Sequence, residues 1–448
     1  MSYKNKNIAV LGFGSSGEAA ARVLAEEGAV TTILDSADIG KLGAKIEKVA
    51  PLGITALTGA AADTDGRMYD LGILSPGIDP ASALVRNFAR KGIAMIGELE
   101  FSWELCRCPV VAITGTNGKT TTTELVARML NGCGVKTVAA GNIGPAFAAV
   151  VNQSGEMDYI TLEVSSFQLE EIRTFCPQVA VWLNFTPDHL DRYPDMDSYL
   201  KAKLRIFENQ TEDNFAVINF REVKMIAEAL AKQGRGLPPM VTFSASEGGG
   251  DFDLRDGVIH FRDAPVLDMG TTNLRGVHNA ENFMATLGVG YCLGIGFEEM
   301  VLAVATYVAL PHRCEIVGSV DGVEYVNDSK ATNIDALEKA LMSETRPVVL
   351  IAGGKDKGFE FGSITELIAR KAHHVVLIGE MTGRIEALWG KRVPCEKAET
   401  LADAVSRARM RAKAGDVVLF SPGTSSFDMF KNYADRGDQF RNLVNTLQ

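Results

Sequence analysis

The stretch VVAITGTNGKTTTTELVARML, residues 110–130, most narrows what this 448-residue chain can fold into. A run of β-branched and small apolar residues reads as a buried strand, a glycine-bearing loop follows, and a helix opens on Lys119 and four threonines. In Gly115-Thr116-Asn117-Gly118-Lys119-Thr120-Thr121, backbone N–H groups can wrap phosphates, Lys119 can neutralise the β and γ oxygens, and the Thr120 hydroxyl can ligate Mg²⁺. The general phosphate-loop pattern has a glycine where this chain has Ile113, so the match is partial. A plain glycine turn would leave the lysine and the KTTTT run without a reason, and phosphate binding is the expectation.

Strand and helix patterns alternate on either side of this segment. NIAVLGFG, EAAARVLAEEG, VTTILD, YDLGILSPGI and GIAMIGELE set up one parallel α/β layer before about residue 100. VVAITG, KTVAAGNIG, DYITLEVSS and VAVWLNFT set up a second, and GVEYVNDS, RPVVLIAGG, HHVVLIGE and VVLFSPG a third. Between about 212 and 275, short strands and turn residues predict a small antiparallel sheet attached to the central domain, and Pro311 marks a boundary. The expected fold is α/β in three domains: a Rossmann-like nucleotide fold over 1–101, a P-loop ATPase-type domain over 102–309, and a Rossmann-like domain over 310–448.

A net charge of -11 argues against general affinity for nucleic acid or anionic lipid, so anionic ligands must be held by local devices. The seven cysteines lack paired spacing, which fits reduced thiols better than disulfides or a zinc site. IAVLGFG is too short and too interrupted for a signal sequence, and no apolar run suits a membrane helix. A soluble, cytoplasmic protein without stable membrane insertion is expected, and a monomer.

Near the start, Gly12-Phe13-Gly14-Ser15-Ser16-Gly17 follows a strand and opens a helix, and Asp35 closes the next strand where a dinucleotide fold places its ribose-binding acid. A nicotinamide dehydrogenase is one reading. The glycines themselves promise only close approach to a phosphate at a helix N-terminus, so a nucleotide-sugar site or a structural turn remains open. Ser75-Pro76-Gly77 adds a second loop on the same sheet edge. No hydride-transfer constellation appears elsewhere.

Glu163 ends the strand DYITLE, where a carboxylate can share Mg²⁺ with Thr120. Asn184, Asp188, His189 and Asp191 bunch in one loop beyond another strand, giving the histidine oxygen ligands as neighbours. Lys201, Lys203 and Arg205 on the following helix read as a solvated charged face.

GTNGKTT, GNIG (Gly141 to Gly144), LEVSSFQLE, LNFTPDHLDRY, KAKLRIF, GVHNAEN, LPHRCE, NDSKATN and SPGTSSFDMFKNYADRGDQF, in this order across all three inferred domains, resemble the Mur ligases. The resemblance is to the branch that joins D-glutamate to UDP-N-acetylmuramoyl-L-alanine. It implies that Lys203 is N6-carboxylated, which would turn a cation into a ligand for a second Mg²⁺ beside His189, with Thr120 and Glu163 at the first. It implies that Gly14, Ser15, Ser16, Asp35, Ser36, Ser75 and Gly77 hold the UDP part and that Asn142 meets the muramoyl-alanine. ATP would lie on residues 115–121, with His278, Asn279 and Asn282 near its base and Arg313 and Asp328 reaching it from the C-terminal domain.

The implied reaction is carboxylate activation: the alanyl carboxylate attacks the γ-phosphorus, and the amine of D-glutamate then attacks the acyl phosphate. Lys119, Mg²⁺ and Arg313 would gather positive charge there. Asp188 and His189 would meet the amine, with Asp188 as proton acceptor. Lys330, Thr332, Lys357 and Ser426 would hold the D-glutamate carboxylates, with Tyr433 where relatives carry phenylalanine. SPGTSSFD reads as a cradle with a helix starting after the serines. Closure of the third domain over the second is expected before chemistry. A related ligase adding another amino acid, a folylpolyglutamate synthase-like enzyme and a nucleotide-binding regulatory module are the rivals. NDSKATN and SPGTSSFD favour D-glutamate, and no DNPR segment of the diaminopimelate- or lysine-adding ligases is present.

Overall fold

The computed structural model describes residues 2–189, 192–246, 248–274, 276–308 and 311–447. Two compact units emerge from its internal contacts, Met1–Asn184 with Asp197–Leu267 and Glu281–Val304, and Phe185–Met196 with Asp268–Ala280 and Ala305–Gln448. Each is described by itself.

The first unit carries two sheets. Strands β1 (Asn7–Leu11), β2 (Val30–Asp35), β3 (Thr55–Thr58), β4 (Leu71–Leu74) and β5 (Met95–Gly97) pair in parallel in the order β3-β2-β1-β4-β5. With helices over the faces, β1 is buried from Ile8 to Leu11, which is why it reads as an unbroken apolar run rather than an alternating one. Ala9, Leu11, Leu34, Leu84 and Phe88 meet in its core.

The second sheet is built on β6 (Val110–Thr114), β7 (Thr137–Gly141), β8 (Tyr159–Glu163), β9 (Val179–Trp182), β10 (Phe215–Asn219), β11 (Met240–Ser244), β12 (Phe252–Arg255), β13 (Val258–Phe261) and β14 (Ala264–Asp268), in the order β14-β13-β12-β11-β10-β9-β6-β8-β7. The segment expected to form a small antiparallel sheet attached to the central domain extends this sheet, and its first strands are parallel. β10 and β11 pair in parallel across the helix Phe220–Ala231, β11 pairs in parallel with β12, and β12 pairs antiparallel with β13. The apolar alternation of REVKMIAEALA was the unread signal for that crossover helix.

Helix Glu98–Leu105 joins the two sheets. The Glu98 carboxylate accepts the Ala148 amide at 2.7 Å, and Glu100 accepts the amides of Arg173, Thr174 and Phe175 at 2.8, 2.7 and 3.0 Å. Both side chains are buried.

The second unit is organised by β15 (Glu315–Val320), β16 (Val323–Asn327), β17 (Val348–Ala352), β18 (Ala372–Leu377), β19 (Cys395–Lys397) and β20 (Val417–Phe420), in the order β15-β16-β20-β17-β18-β19. It is parallel except for the β15–β16 hairpin, whose two-residue turn, Asp321-Gly322, has positive φ at both positions, as a tight hairpin requires. Among the described residues, no helix is long and apolar enough to cross a membrane.

Candidate active site

In the first sheet, the loops at Gly12–Gly17, Asp35–Ser36 and Ser75–Gly77 follow the adjacent strands β1, β2 and β4, at the carboxyl edge where open parallel sheets bind ligands. Gly17 is required by packing, because a Cβ there would lie 1.9 Å from the Gly12 carbonyl oxygen. Asp35 takes the Phe13 amide at 2.7 Å on one oxygen and the Ala37 amide at 2.8 Å on the other, so it fixes the shape of the loop itself. Ser36 donates to Asp63 at 2.6 Å. Gly14, Ser15, Ser36 and Gly77 are exposed, whereas Ser75 is buried. Lys45, on the helix Ile39–Val49, sets its ammonium 2.6 Å from the Phe13 carbonyl oxygen, placing a cation at the glycine loop that the sequence reading missed.

The second loop also lies in the first unit. Gly118 has φ +84°, and a Cβ there would meet Asn282 Oδ1 at 2.5 Å, so only glycine lets the loop turn into the helix Lys119–Gly132 against that side chain. Asn282 Oδ1 also accepts the Thr122 hydroxyl at 3.2 Å. Lys119 Nζ donates to the Gly115 and Thr116 carbonyls at 2.9 and 2.8 Å.

Thr120 donates to Glu163 Oε2 at 2.7 Å, and Asn142 Nδ2 donates to Glu163 Oε1 at 2.8 Å. A hydroxyl and a single carboxylate make a hard oxygen donor set, with places left for water and phosphate oxygens, which fits Mg²⁺. Among the described residues no group of three or more His, Cys, Asp or Glu forms a metal cage. Asn142, expected at the muramoyl-alanine, is placed on this carboxylate.

Asn184 holds the loop from the end of β9. Its Oδ1 accepts the Thr116 and Asn117 amides at 3.2 and 2.8 Å, and its Nδ2 donates to the Asn117 carbonyl at 3.0 Å. It is therefore a brace for the phosphate loop. Its position in the sequence among Asp188 and His189 disguised that role.

Lys203 corrects the solvated-face reading of its helix. It is 2% exposed, donates to the Gly115 carbonyl at 2.8 Å, and lies 4.9 Å from the Tyr199 ring centroid. Tyr199 and Lys203 are four residues apart on the helix Met196–Leu204 and share its inward face. Arg205 also turns in, donating to the Ile172 carbonyl at 2.7 Å, whereas Lys201 stays exposed.

Asp188 and His189 belong to the second unit. Asp188 Oδ1 lies 3.4 Å from Lys357 Nζ, and its Oδ2 accepts from Asn333 Nδ2 at 3.2 Å and lies 3.7 Å from His189 Nε2. His189 has φ +55°, a left-handed turn that sets it beside Asp188. Asp191 lies outside the described residues. The Asn333 contact was not foreseen, although that residue ends NDSKATN.

Lys330 Nζ sits 3.8 Å from the Tyr433 ring centroid, and Thr332 is half-buried nearby in sequence. The Asp328 carboxylate accepts the Ser421 hydroxyl at 2.7 Å and the Cys314 amide at 3.2 Å, and burial pushes its pKa up to about 6 against the opposing pull of these bonds and of Arg313. Burial, reinforced by Lys339 and Arg313, drives His278 down to about 4, so its imidazole is neutral at pH 7. Asn279 follows it within the same helix, Val277–Cys292.

Ser426 is buried and its carbonyl accepts the Met429 and Phe430 amides at 3.2 and 2.9 Å. The helix expected directly after the serines starts only at Tyr433, where Asn432 caps it by accepting the Asp435 amide at 2.9 Å. Residues 427–429 form a turn.

With three nucleotide-type sheets, a phosphate loop braced from its neighbouring strand and a Mg²⁺-competent hydroxyl–carboxylate pair, the class of protein is defined. The chain belongs to the Mur ligase family: it matches the Mur ligase MurD-like N-terminal domain over residues 6–97, the Mur ligase middle domain over 113–290, and the Mur ligase glutamate ligase domain over 312–423. It is 41% identical to the UDP-N-acetylmuramoylalanine--D-glutamate ligase of Geobacter sp. (strain M21), covering 99% of this chain and 98% of that one. Against the ligase of the same name from Geobacter metallireducens it is 40% identical, covering 100% and 99%. Among solved structures, the fold is similar to the UDP-N-acetylmuramate-alanine ligase MurC of Thermotoga maritima, with TM-score 0.63 and 17% identity over 99% of this chain and 100% of that one. It is likewise similar to the MurF ligase of the same organism, with TM-score 0.62 and 17% identity over 99% and 96%. The dehydrogenase reading of the first loop is overturned by these full-length ligase relatives.

Proposed function

We propose that this protein is an ATP-dependent ligase that adds D-glutamate to UDP-N-acetylmuramoyl-L-alanine through an acyl phosphate, in peptidoglycan precursor synthesis. The observation that carries the chemistry is the pairing of Thr120 with Glu163 at the mouth of the Gly115–Lys119 loop. Domains over 1–101, 102–309 and 310–448 take the UDP substrate, ATP and the amino acid, respectively. The enzyme works in the cytoplasm as a monomer.

The first glycine loop grips uridine diphosphate without chemistry, through Gly14, Ser15, Ser16, Asp35, Ser36, Ser75 and Gly77, with Lys45 adding positive charge. On the second loop, Lys119 exchanges its two loop carbonyls for phosphate oxygens. Thr120 and Glu163 would hold Mg²⁺, and His189 with a carboxylated Lys203 would hold a second ion; such ions would supply stabilisation of negative charge on phosphate oxygens. Arg313 adds to that positive charge, and His278, Asn279, Asn282 and Asp328 serve the nucleotide.

The alanyl carboxylate attacks the γ-phosphorus and ADP departs. The D-glutamate amine then attacks the acyl carbon, phosphate leaves, and the surplus amine proton passes to Asp188. Asn333 and Lys357 orient that carboxylate, and Lys330, Thr332, Lys357 and Ser426 anchor the amino acid, with Tyr433 steering Lys330.

Phosphate release from ATP with UDP-N-acetylmuramoyl-L-alanine, measured against a panel of D- and L-amino acids, tests the assignment. Turnover with D-glutamate is expected, and its absence rejects the function.

A further inference from the structure

Glu163 ends β8, which lies between β6 and β7 in the second sheet, and its buried carboxylate is engaged from both sides. Thr120, from the helix after β6, donates to Oε2 at 2.7 Å, and Asn142, from the loop after β7, donates to Oε1 at 2.8 Å. The two partners are held differently. Asn142 also donates its backbone N–H to the Glu163 carbonyl at 2.9 Å, so it grips one residue at two points. Gly141 permits that approach, because its φ is +105° and a Cβ there would lie 2.3 Å from the Glu163 carbonyl oxygen. The Gly141 amide in turn donates to the Pro145 carbonyl at 2.9 Å, which closes the GNIG turn on itself.

This asymmetry bears on the cation that Thr120 and Glu163 would hold. A carboxylate with one oxygen committed to an amide offers an ion the other, whereas one with both oxygens open can offer two. Mg²⁺ takes a small octahedral shell at about 2.0–2.1 Å and is served by single carboxylate oxygens; Ca²⁺ takes about six to eight oxygens at about 2.3–2.6 Å and accepts carboxylates through both. The Thr120 hydroxyl can release Oε2 by rotating about its Cβ–Oγ1 bond. Release of Oε1 would break a contact anchored in the backbone of the same loop.

We propose that Asn142 is a positioning residue that keeps Glu163 a one-oxygen ligand and so sets the preference of the phosphate loop for Mg²⁺ over Ca²⁺. It acts through Glu163 without touching the ion. The proposal rests on the assignment of Mg²⁺ to Thr120 and Glu163.

The test titrates the full chain with β,γ-imido-ATP in Mg²⁺, in Ca²⁺ and in EDTA, with no UDP substrate present, and reads dissociation constants by calorimetry. The wild type is expected to bind about ten-fold or more tightly in Mg²⁺ than in Ca²⁺. Asn142→Ala is expected to shrink that ratio to about three-fold or less, while its constant in EDTA stays within about two-fold of the wild type. In a Glu163→Gln background, adding Asn142→Ala should leave the ratio where it was, because the group through which it acts is gone. Should Asn142→Ala fail to fold, Asn142→Asp decides: it withdraws the donor, sets a second carboxylate beside Glu163, and should shrink the ratio as well. A wild-type ratio near one, a ratio unmoved in the variant that folds, or an Asn142→Ala effect as large without the Glu163 carboxylate as with it, overturns the proposal. Glu163→Gln that keeps the full Mg²⁺ dependence of the wild type overturns the assignment of the ion to Glu163 and, with it, the role given to Asn142.

Discussion

Thr120 and Glu163 hold one another at 2.7 Å, the hydroxyl in the first turn of the helix that follows β6 and its glycine loop, the carboxylate at the end of the neighbouring parallel strand β8. In the free protein each satisfies the other, and in the proposed loaded state both would turn to Mg²⁺. Glu163→Gln is expected to lower the rate of phosphate release about 100-fold, with added Mg²⁺ restoring little of it. Equilibrium binding of uridine diphosphate alone, assigned to the first sheet, should not change.

Asn184 engages the Asn117 peptide from both sides, accepting its N–H and donating to its C=O. Asn184→Asp keeps the shape but sets oxygen against the Asn117 carbonyl. KM for ATP is expected to rise about 10-fold or more while affinity for the UDP substrate holds. Asn184→Ala leaves both Asn117 groups without that partner and should cost about 1–3 kcal/mol of stability, read by thermal melting.

Lys203→Ala should abolish turnover. Partial rescue by formate, acetate or propionate is the expected signature if the native side chain ends in a carboxylate, because a small acid can re-enter the space vacated by the buried side chain. Rescue by short amines instead would mean that the native group acts as a cation.

Glu98 carries a pH dependence. Burial raises its carboxyl from 4.5 to about 7, against the opposing effect of the Ala148 amide and the Ser102 hydroxyl, and its second oxygen has no hydrogen-bond partner among the described residues. The folded state thus holds the proton more tightly than the unfolded one. The stability this confers is complete below about pH 4.5 and is lost as pH rises through about 7. Glu98→Gln should therefore gain on the wild type by on the order of 2 kcal/mol at pH 8, and by little at pH 5, in denaturant unfolding followed at both values.

What the sequence made legible follows a physical line. The buried parallel strands and both glycine loops announced themselves because apolar runs and obligatory glycines are local signals, as at β6 and Gly118. Lys203 did not, since its inward direction depends on the Gly115 carbonyl, 88 residues away. Lys45 and Asn333 escaped for the same reason: each gains its meaning from a distant backbone or carboxyl oxygen. The run from β10 to β12 misled because short strands near glycines look antiparallel until the crossover helix between them is read.

Glu100 bears on how the chain is best dissected. Three consecutive amides at 173–175 depend on a carboxylate that the sequence assigns to the preceding domain. A cut at residue 101 would strip those donors of their acceptor and bare a buried acid on the other piece. Tests of the nucleotide-sugar site proposed for the first sheet therefore call for keeping the first two sheets in one polypeptide, and a severed amino-terminal fragment would be a poor surrogate for the intact protein.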